Sequence, residues 1–494
     1  MKNIKNIVIF TFLALFVASC QDFNTELSVE NLENPNDKIL TSDPVALDAL
    51  STSIIQNWFR ATHSTSSPAA ALGTMADIYT CSWGNFGMRD LSSEPRVAFN
   101  NSSAYSYNNI TNTYFNALYS ILSDSNTLAL AIKNGTKFEN PDRVSMVAKL
   151  GQALSIGHLA LVFDQVWVSD ENGVIPGTGG TEGSSTYKEA MTFALTKLDE
   201  AIALAKSKNI SLSEIYLPGG GGANSSLVAF MNSMGARMLV GNVRNSTQKA
   251  AIDWARVLAY TNAGLTSDFE IYMDDVTWYD LVPKTYMVYP GWARVDMRII
   301  NMLDPNTINY WTDGLSTVPA ATSADARLAS DYQYLGSNNF RPERGYYHYS
   351  NYRYSRLDDY ITIWTMNVTE FSAAENDMYK AEALVNQASP NLSGAAAILN
   401  DPTNSRKARG KLVDVALNLD AIKAAIHYER MIEFAYTAPG IGFYEMRKEN
   451  LLQAGTLLHF PVPGKALESI PTPNYTFGGT DGVAGEDYST AGWR

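Results

Sequence analysis

NPDRVSMVAKLGQALSIGHLALVFDQVW, residues 140–167, is the stretch on which the fold turns. Asn140 and Pro141 stand at the cap and first-turn positions of a helix, and no later proline interrupts the run. Ala148, Gly151, Ser155, Gly157 and Ala160 punctuate the interior with small side chains. Such a helix lets its neighbours approach closely, so it predicts a helix-packed scaffold with this segment inside it.

Helical patterns continue on both sides. SDPVALDALSTSIIQNWF (42–59) opens with Asp43 as a cap and Pro44 at the first position, and NNITNTYFNALYSILSDSNTLALAIKNG (108–135) ends on Gly135. Thr186 and Glu189 have capping-box spacing ahead of a helix running to about residue 206. SSLVAFMNSMGARMLVGN (225–242) and STQKAAIDWARVLAYTNAG (246–264) read as a fourth and a fifth helix. Paired segments of roughly 15 to 20 residues with short joints have the outline of tetratricopeptide-like repeats, although no repeat consensus is legible. The loop TCSWGNFGMRDLSSEPRVAFNN (80–101) has turn residues and no period.

Between about residues 266 and 366 the composition changes to Trp, Tyr, Asp, Asn, Pro and Gly, and helices are hard to place. Helical mode returns at VTEFSAAENDMYKAEALVNQ (368–387), where Ser372 and Glu375 again have capping-box spacing. It continues through NLDAIKAAIHYERMIEFAYTAPG (418–440) and GFYEMRKENLL (442–452). The tail from His459 is proline-rich and predicted extended or turned. The expected fold class is therefore mainly α: about four helix pairs, packed against an irregular, aromatic-rich variable lobe. The scaffold occupies about 42–265 and 367–450, the lobe about 266–366 and the tail about 459–494.

The chain begins MKNIKNIVIFTFLALFVASC, with Lys2 and Lys5 ahead of an apolar stretch from Ile7 to Val17. That stretch is too short to span a bilayer and has the flanks of an export signal. The V-A-S-C sequence resembles a bacterial lipobox, which predicts residues 1–19 as a signal peptide and Cys20 as a lipid-bearing mature N-terminus. Each buried methylene of an acyl chain contributes about 0.8 kcal/mol to membrane attachment, so several chains anchor firmly. Residues 20–41, polar and poor in hydrophobes, read as a tether. Cys81, the one remaining cysteine, has no internal partner and reads as a buried, inert thiol. The net charge of −13 argues against nucleic acid and against electrostatic binding to anionic membranes, and favours a neutral ligand.

Motifs for catalysis are weak. GTGGTEG (177–183) and PGGGG (218–222) lack the dinucleotide and Walker patterns and read as turns. The five histidines form no zinc spacing, and His158, in an apolar helix, reads as a satisfied core residue. Asp274–Asp275 and Asp358–Asp359 are the acidic pairs a glycosidase would need, but adjacent acids in polar loops usually face water. No metal or cofactor site is expected.

What rises above background is a set of rings with polar neighbours. Trp83, Asn85 and Arg89 share the early loop; Trp278, Tyr279, Tyr286, Tyr289, Trp292 and Trp311 crowd the lobe. Indole and phenol rings stack on the C–H-rich faces of sugars while Asn and Arg bond the hydroxyl edges, and rigid rings lose little entropy on binding. GYYHYSNYRYSRLDDY (345–360) is different: Tyr347/Tyr349 and Tyr352/Tyr354 keep period two, which predicts short paired strands forming a structural seam. Tyr346 and Tyr347 are the exceptions that could face outward.

The lipobox, the ENPND tether, GQALSIGHLALVFDQVW, SADARL, FSAAENDMYKAEALV and HYERMIEFAYTAPGIGFYEMRK resemble, in order, the SusD/RagB family. Ala326, where the family usually has proline, and Thr437–Ala438–Pro439 are departures. The resemblance implies a non-catalytic lipoprotein on the outer face of the outer membrane. Such a protein binds oligo- or polysaccharide and delivers it to a SusC-like, TonB-dependent transporter. It also implies a glycan platform at Trp83 with Asn85 and Arg89, and more loosely at Trp278, Trp292 and Trp311; Tyr289, from the same lobe, joins them as a candidate ligand-binding ring. A surface glycoside hydrolase using paired acids, and a binder of peptides or another nutrient, are the alternative expectations.

Overall fold

A computed structural model describes residues 43–80, 84–281, 286–310, 317–338, 349–437 and 440–494. The signal, tether and Cys20, together with Cys81, Trp83, Trp311, Tyr346 and Tyr347, lie outside the described residues.

The frame follows the chain as α1 (Pro44–His63), α2 (Asn109–Lys133), α3 (Pro141–Val162), α4 (Tyr187–Lys208), α5 (Asn224–Gly241) and α6 (Trp254–Asn262). After the lobe come α7 (Ala373–Val385), α8 (Leu392–Leu399), α9 (Leu419–Ile432) and α10 (Ile441–Lys448). Each helix packs chiefly on the next, from α1 through α6, then α6 on α7, and α7 on both α8 and α9. This neighbour-to-neighbour order is that of stacked helix pairs: α2–α3, α4–α5, α6–α7 and α8–α9. The third pair is completed from both sides of the lobe, so the lobe is inserted within a repeat.

Helix α3 is the interior element. It is apolar nearly all round and buried along almost its whole length, as a helix covered on every side must be. A Cβ at Gly151 would fall 2.1 Å from Ser125 Oγ of α2 and 2.6 Å from Ile54 of α1. At Gly157 it would meet Met238 of α5 at 2.7 Å. These two glycines set how closely three neighbours approach.

The caps explain where helices start. Asn140 accepts the Arg143 N–H at 2.9 Å, and Thr186 with Glu189 forms the full reciprocal box. Ser372 accepts the Glu375 N–H at 3.1 Å, but the Glu375 carboxylate turns away to take Nε and Nη2 of Arg237 at 2.8 and 2.7 Å. A buried guanidinium thus outcompetes the second half of that box. The expected single helix over 246–264 is two pieces, Ser246–Ala250 and α6, because Asp253 accepts the Arg256 N–H and caps a new start. The tail contains one helical turn, Gly464–Ser469, entered through Pro463.

The lobe is held by two-stranded antiparallel sheets. β1 (Tyr79–Thr80) pairs with β3 (Arg294–Val295), β2 (Phe269–Tyr272) with β6 (Asn367–Phe371), and β4 (Tyr332–Tyr334) with β5 (Tyr352–Tyr354). β2 and β6 join the two ends of the lobe at its neck. The tyrosine run is a seam: Tyr352 and Tyr354 are buried, and Tyr354 stacks on Tyr436 at 4.2 Å and 10°. Its partner strand is Tyr332–Tyr334, not a neighbouring half of the same run.

Buried charge ties lobe to frame. Arg327 reaches Asp325, Glu429 and Glu433, each at 3.0 Å or less, which joins the SADARL stretch to the E-R-x-x-E element of α9. The Ala326 N–H donates to Gly410 O at 3.0 Å, a bond that proline could not make. His63 of α1 sits between Asp280 of the lobe at 2.9 Å and Glu370 of β6 at 2.8 Å.

Candidate ligand-binding site

The pairing of β1 with β3 builds the site. Thr80, the last residue of β1, lies opposite Arg294, the first of β3. In an antiparallel pair the chain leaving one strand and the chain entering the other emerge at the same end. The early loop and the segment before Arg294 are therefore adjacent, although far apart in sequence.

The early loop turns through three left-handed residues, Gly84 (φ 76°), Phe86 (φ 57°) and Gly87 (φ 69°), and then enters a short helix, Met88–Leu91. Glycine adopts such angles freely; a bulky residue rarely does, and surrounding contacts must hold it there. Phe86 stacks on Trp292 with centroids 5.8 Å apart and planes at 25°, and Tyr286 lies 4.9 Å from Trp292 and 6.5 Å from Phe86. All three rings are half-buried, so each keeps surface toward solvent. The Trp292 N–H donates to Tyr289 O at 3.0 Å, closing a turn that leaves Tyr289 51% exposed beside the cluster.

Arg294 fixes that turn from beneath. Its guanidinium donates to Pro290 O at 2.8 Å, to Ala293 O at 3.1 Å and to Ser337 O at 3.0 Å. Burial, with Arg353 nearby, lowers its pKa to about 10. On the loop side Arg89 is exposed and only loosely paired with Asp90 at 3.4 Å, while Asp90 accepts the Tyr105 hydroxyl at 2.7 Å. Asn85 is half-buried next to Phe86.

Among the expected site residues, Trp292 stands in this cluster with Tyr289 beside it, and Asn85 and Arg89 lie on the loop segment that carries Phe86. Trp278 is a correction. It is 5% exposed and packs on Phe59 of α1 at 5.4 Å, because Asp274 accepts the N–H groups of Val276, Thr277 and Trp278 and folds that turn inward. Trp83 and Trp311 lie outside the described residues. Phe86 carries the cluster and was not singled out in the sequence; the two glycines around it, Gly84 and Gly87, were the available signal.

Two of the four acids of the alternative reading, Asp274 and Asp358, are engaged elsewhere. Burial would raise the Asp274 pKa, but the three backbone N–H groups outweigh it and hold the carboxyl below its usual range, the wrong direction for a general acid. Asp358 accepts both terminal nitrogens of Arg353 at 2.6 Å. Both glycine-rich stretches are turns; Gly219 and Gly220 give their N–H groups to Glu214. Among the described residues no group of three or more His, Cys, Asp or Glu could hold a metal ion.

Comparison with known proteins places the fold. No family model and no curated protein matches the chain. Solved structures do. A SusD superfamily protein from Bacteroides vulgatus superposes with a TM-score of 0.61 at 14% identity, over 87% of this chain and 98% of that one. Surface glycan-binding protein A from Bacteroides uniformis gives 0.56 at 12% identity, covering 86% and 98%. A laminarin-binding SusD-like protein gives 0.53 at 14%, covering 85% and 92%. The chain thus has the mainly helical fold of these SusD-like structures, over nearly the whole of their length.

Proposed function

We propose that this chain is a non-catalytic glycan binder displayed at the cell surface, and that it takes oligo- or polysaccharide at the Phe86–Tyr286–Trp292 patch. Tyr289 and Arg89 border the rings and complete the platform, with Trp83 and Trp311 as further rings. The observation that carries this reading is the half-buried ring cluster at the junction of frame and lobe. It sits in a fold whose solved members include a surface glycan-binding protein and a laminarin-binding protein. Flat rings held rigid by an arginine-braced turn suit a neutral ligand with apolar faces. The lipid anchor at Cys20 and delivery to a TonB-dependent, SusC-like transporter complete the role.

Affinity electrophoresis against a polysaccharide panel tests the binding. Retardation by at least one neutral glycan, lost in Trp292→Ala, is the expected result. No retardation by any polysaccharide, with calorimetric heat from oligopeptides instead, would replace the glycan reading with peptide binding. Release of reducing sugar by the purified protein would replace it with hydrolysis. Co-purification with an outer-membrane barrel from detergent extracts tests delivery.

A further inference from the structure

The β1–β3 ladder that builds the ring cluster is short, and its two ends differ. At one end the chain runs on toward Phe86 in the early loop and arrives from Trp292 in the lobe. At the other end the Asp296 N–H donates to Ile78 O at 2.8 Å, and Asp77 and Arg298 stand just beyond that bond. A two-stranded ribbon of this length is marginal by itself, so contacts outside it must hold it.

Two adjacent tail residues reach around the ladder. Trp493 Nε1 donates to Asp77 Oδ2 at 2.6 Å, and the Arg298 guanidinium lies 5.5 Å from the centre of the Trp493 ring. One indole thus touches both the residue ahead of β1 and the helix after β3, Met297–Leu303. Its backbone N–H goes to Leu451 O at 3.1 Å, just past α10, which ties it to the frame. Arg494 acts where the early loop leaves. It pairs with Glu94 at 3.0 Å, and its guanidinium lies 3.8 Å from the centre of the Tyr310 ring in the lobe. The loop is therefore gripped at its entry and at its exit, and each gripping residue also rests on the lobe.

Asp77 carries the same arrangement from within. It is buried in a left-handed conformation (φ 51°), which surrounding contacts must hold. Its Oδ1 accepts Arg96 Nη2 at 3.1 Å and its Oδ2 accepts Trp493, so both carboxylate oxygens are engaged. Arg96, on the outgoing side of the loop, continues to Thr456 Oγ1 at 3.0 Å. We propose that Trp493 and Arg494 are positioning residues for the ring cluster. By holding both ends of the early loop against the lobe, they keep Phe86 stacked on Trp292. The functional half of this inference rests on the glycan reading; the bracing of the loop does not.

Hydrogen exchange on the full chain, with affinity electrophoresis in amylopectin, mixed-linkage β-glucan and galactomannan, tests this in Arg494→Ala, Arg494→Lys and Trp493→Phe. A partly exposed ion pair adds little to global stability, and phenylalanine keeps a ring in place while losing the N–H to Asp77, so the variants are expected to fold. Amides of residues 84–93 should exchange at least fivefold faster in Arg494→Ala and Trp493→Phe, while those of α3 keep wild-type rates, the signature of local opening. Retardation by the retained glycan should weaken threefold or more. Arg494→Lys keeps a positive charge opposite Glu94 and should recover most of both effects. Unchanged exchange in the loop overturns the proposal, and so does faster exchange in α3 as well, which marks a general loss of stability. Faster loop exchange with unaltered retardation also overturns it, because the ring cluster then needs no brace. Where none of the three glycans retards the wild type, glycan binding fails on that panel and the exchange rates alone decide the brace.

Discussion

Phe86 and Trp292 stack at 5.8 Å across the boundary between frame and lobe, and Phe86 does so from a left-handed backbone conformation. The loop holds an unfavourable angle in order to present that ring.

Replacing Phe86 by asparagine tests what the angle is for. Asparagine tolerates the left-handed region, so Phe86→Asn is expected to leave the thermal midpoint unchanged or raised. Glycan retardation should fall, as it should in Trp292→Ala. Trp278→Ala is the counter-case: it empties a core position against Phe59 and is expected to cost about 3–5 kcal/mol in denaturant unfolding. The folded fraction of that variant should bind as wild type does.

His63 predicts a pH dependence. Burial pulls its pKa down, but the carboxylates of Asp280 and Glu370 outweigh that and raise it to about 9; His158 and Arg237 lie nearby on α3 and α5. A folded-state value above the unfolded one contributes stability that is complete below about pH 6.5 and is lost as pH rises through about 9. The size is about 3 kcal/mol. Denaturation at pH 6 and at pH 9.5 should show the loss in wild type, and a much smaller change in His63→Gln.

Arg327 stands among three carboxylates with no exposure of its own. Arg327→Met strands those charges, although Arg356 and Arg409 still reach Glu433, and is expected to cost about 3–5 kcal/mol. Arg256→Ala breaks the exposed pair with Asp199 and should cost under about 1 kcal/mol. Urea titration of both variants separates the two.

Gly151 and Gly157 differ in what surrounds them. A methyl at Gly151 meets Ser125 and Ile54 on two other helices, whereas at Gly157 it meets the flexible end of Met238. Alanine in a helix gains about 1 kcal/mol over glycine. Gly157→Ala is therefore expected near neutral, and Gly151→Ala destabilising by up to about 2 kcal/mol once overpacking of about 1–3 kcal/mol is set against that gain. Thermal midpoints of the two single variants decide it.

Much of the fold was legible because helices write themselves locally. Asn140, Thr186 and Ser372 each cap a helix where spacing placed one, and the small residues of α3 mark its closest contacts. The tyrosine seam at Tyr352 and Tyr354 was legible from period two, but not its partner Tyr332–Tyr334, because pairing is nonlocal. The break before α6 was missed because one aspartate cap outweighs a continuous apolar pattern.

From residue order alone came the helical frame, its interruption by an aromatic lobe and the candidate rings, since each depends on neighbours within a few turns. Which rings face solvent was decided only in three dimensions. Trp278 and Trp292 look alike in composition and context, yet one fills a gap beside Phe59 and the other lies across Phe86. At Trp278 the Asp274 turn decides it, and at Trp292 a strand pair only two residues long, Tyr79–Thr80 with Arg294–Val295, too short for any periodic pattern to reveal.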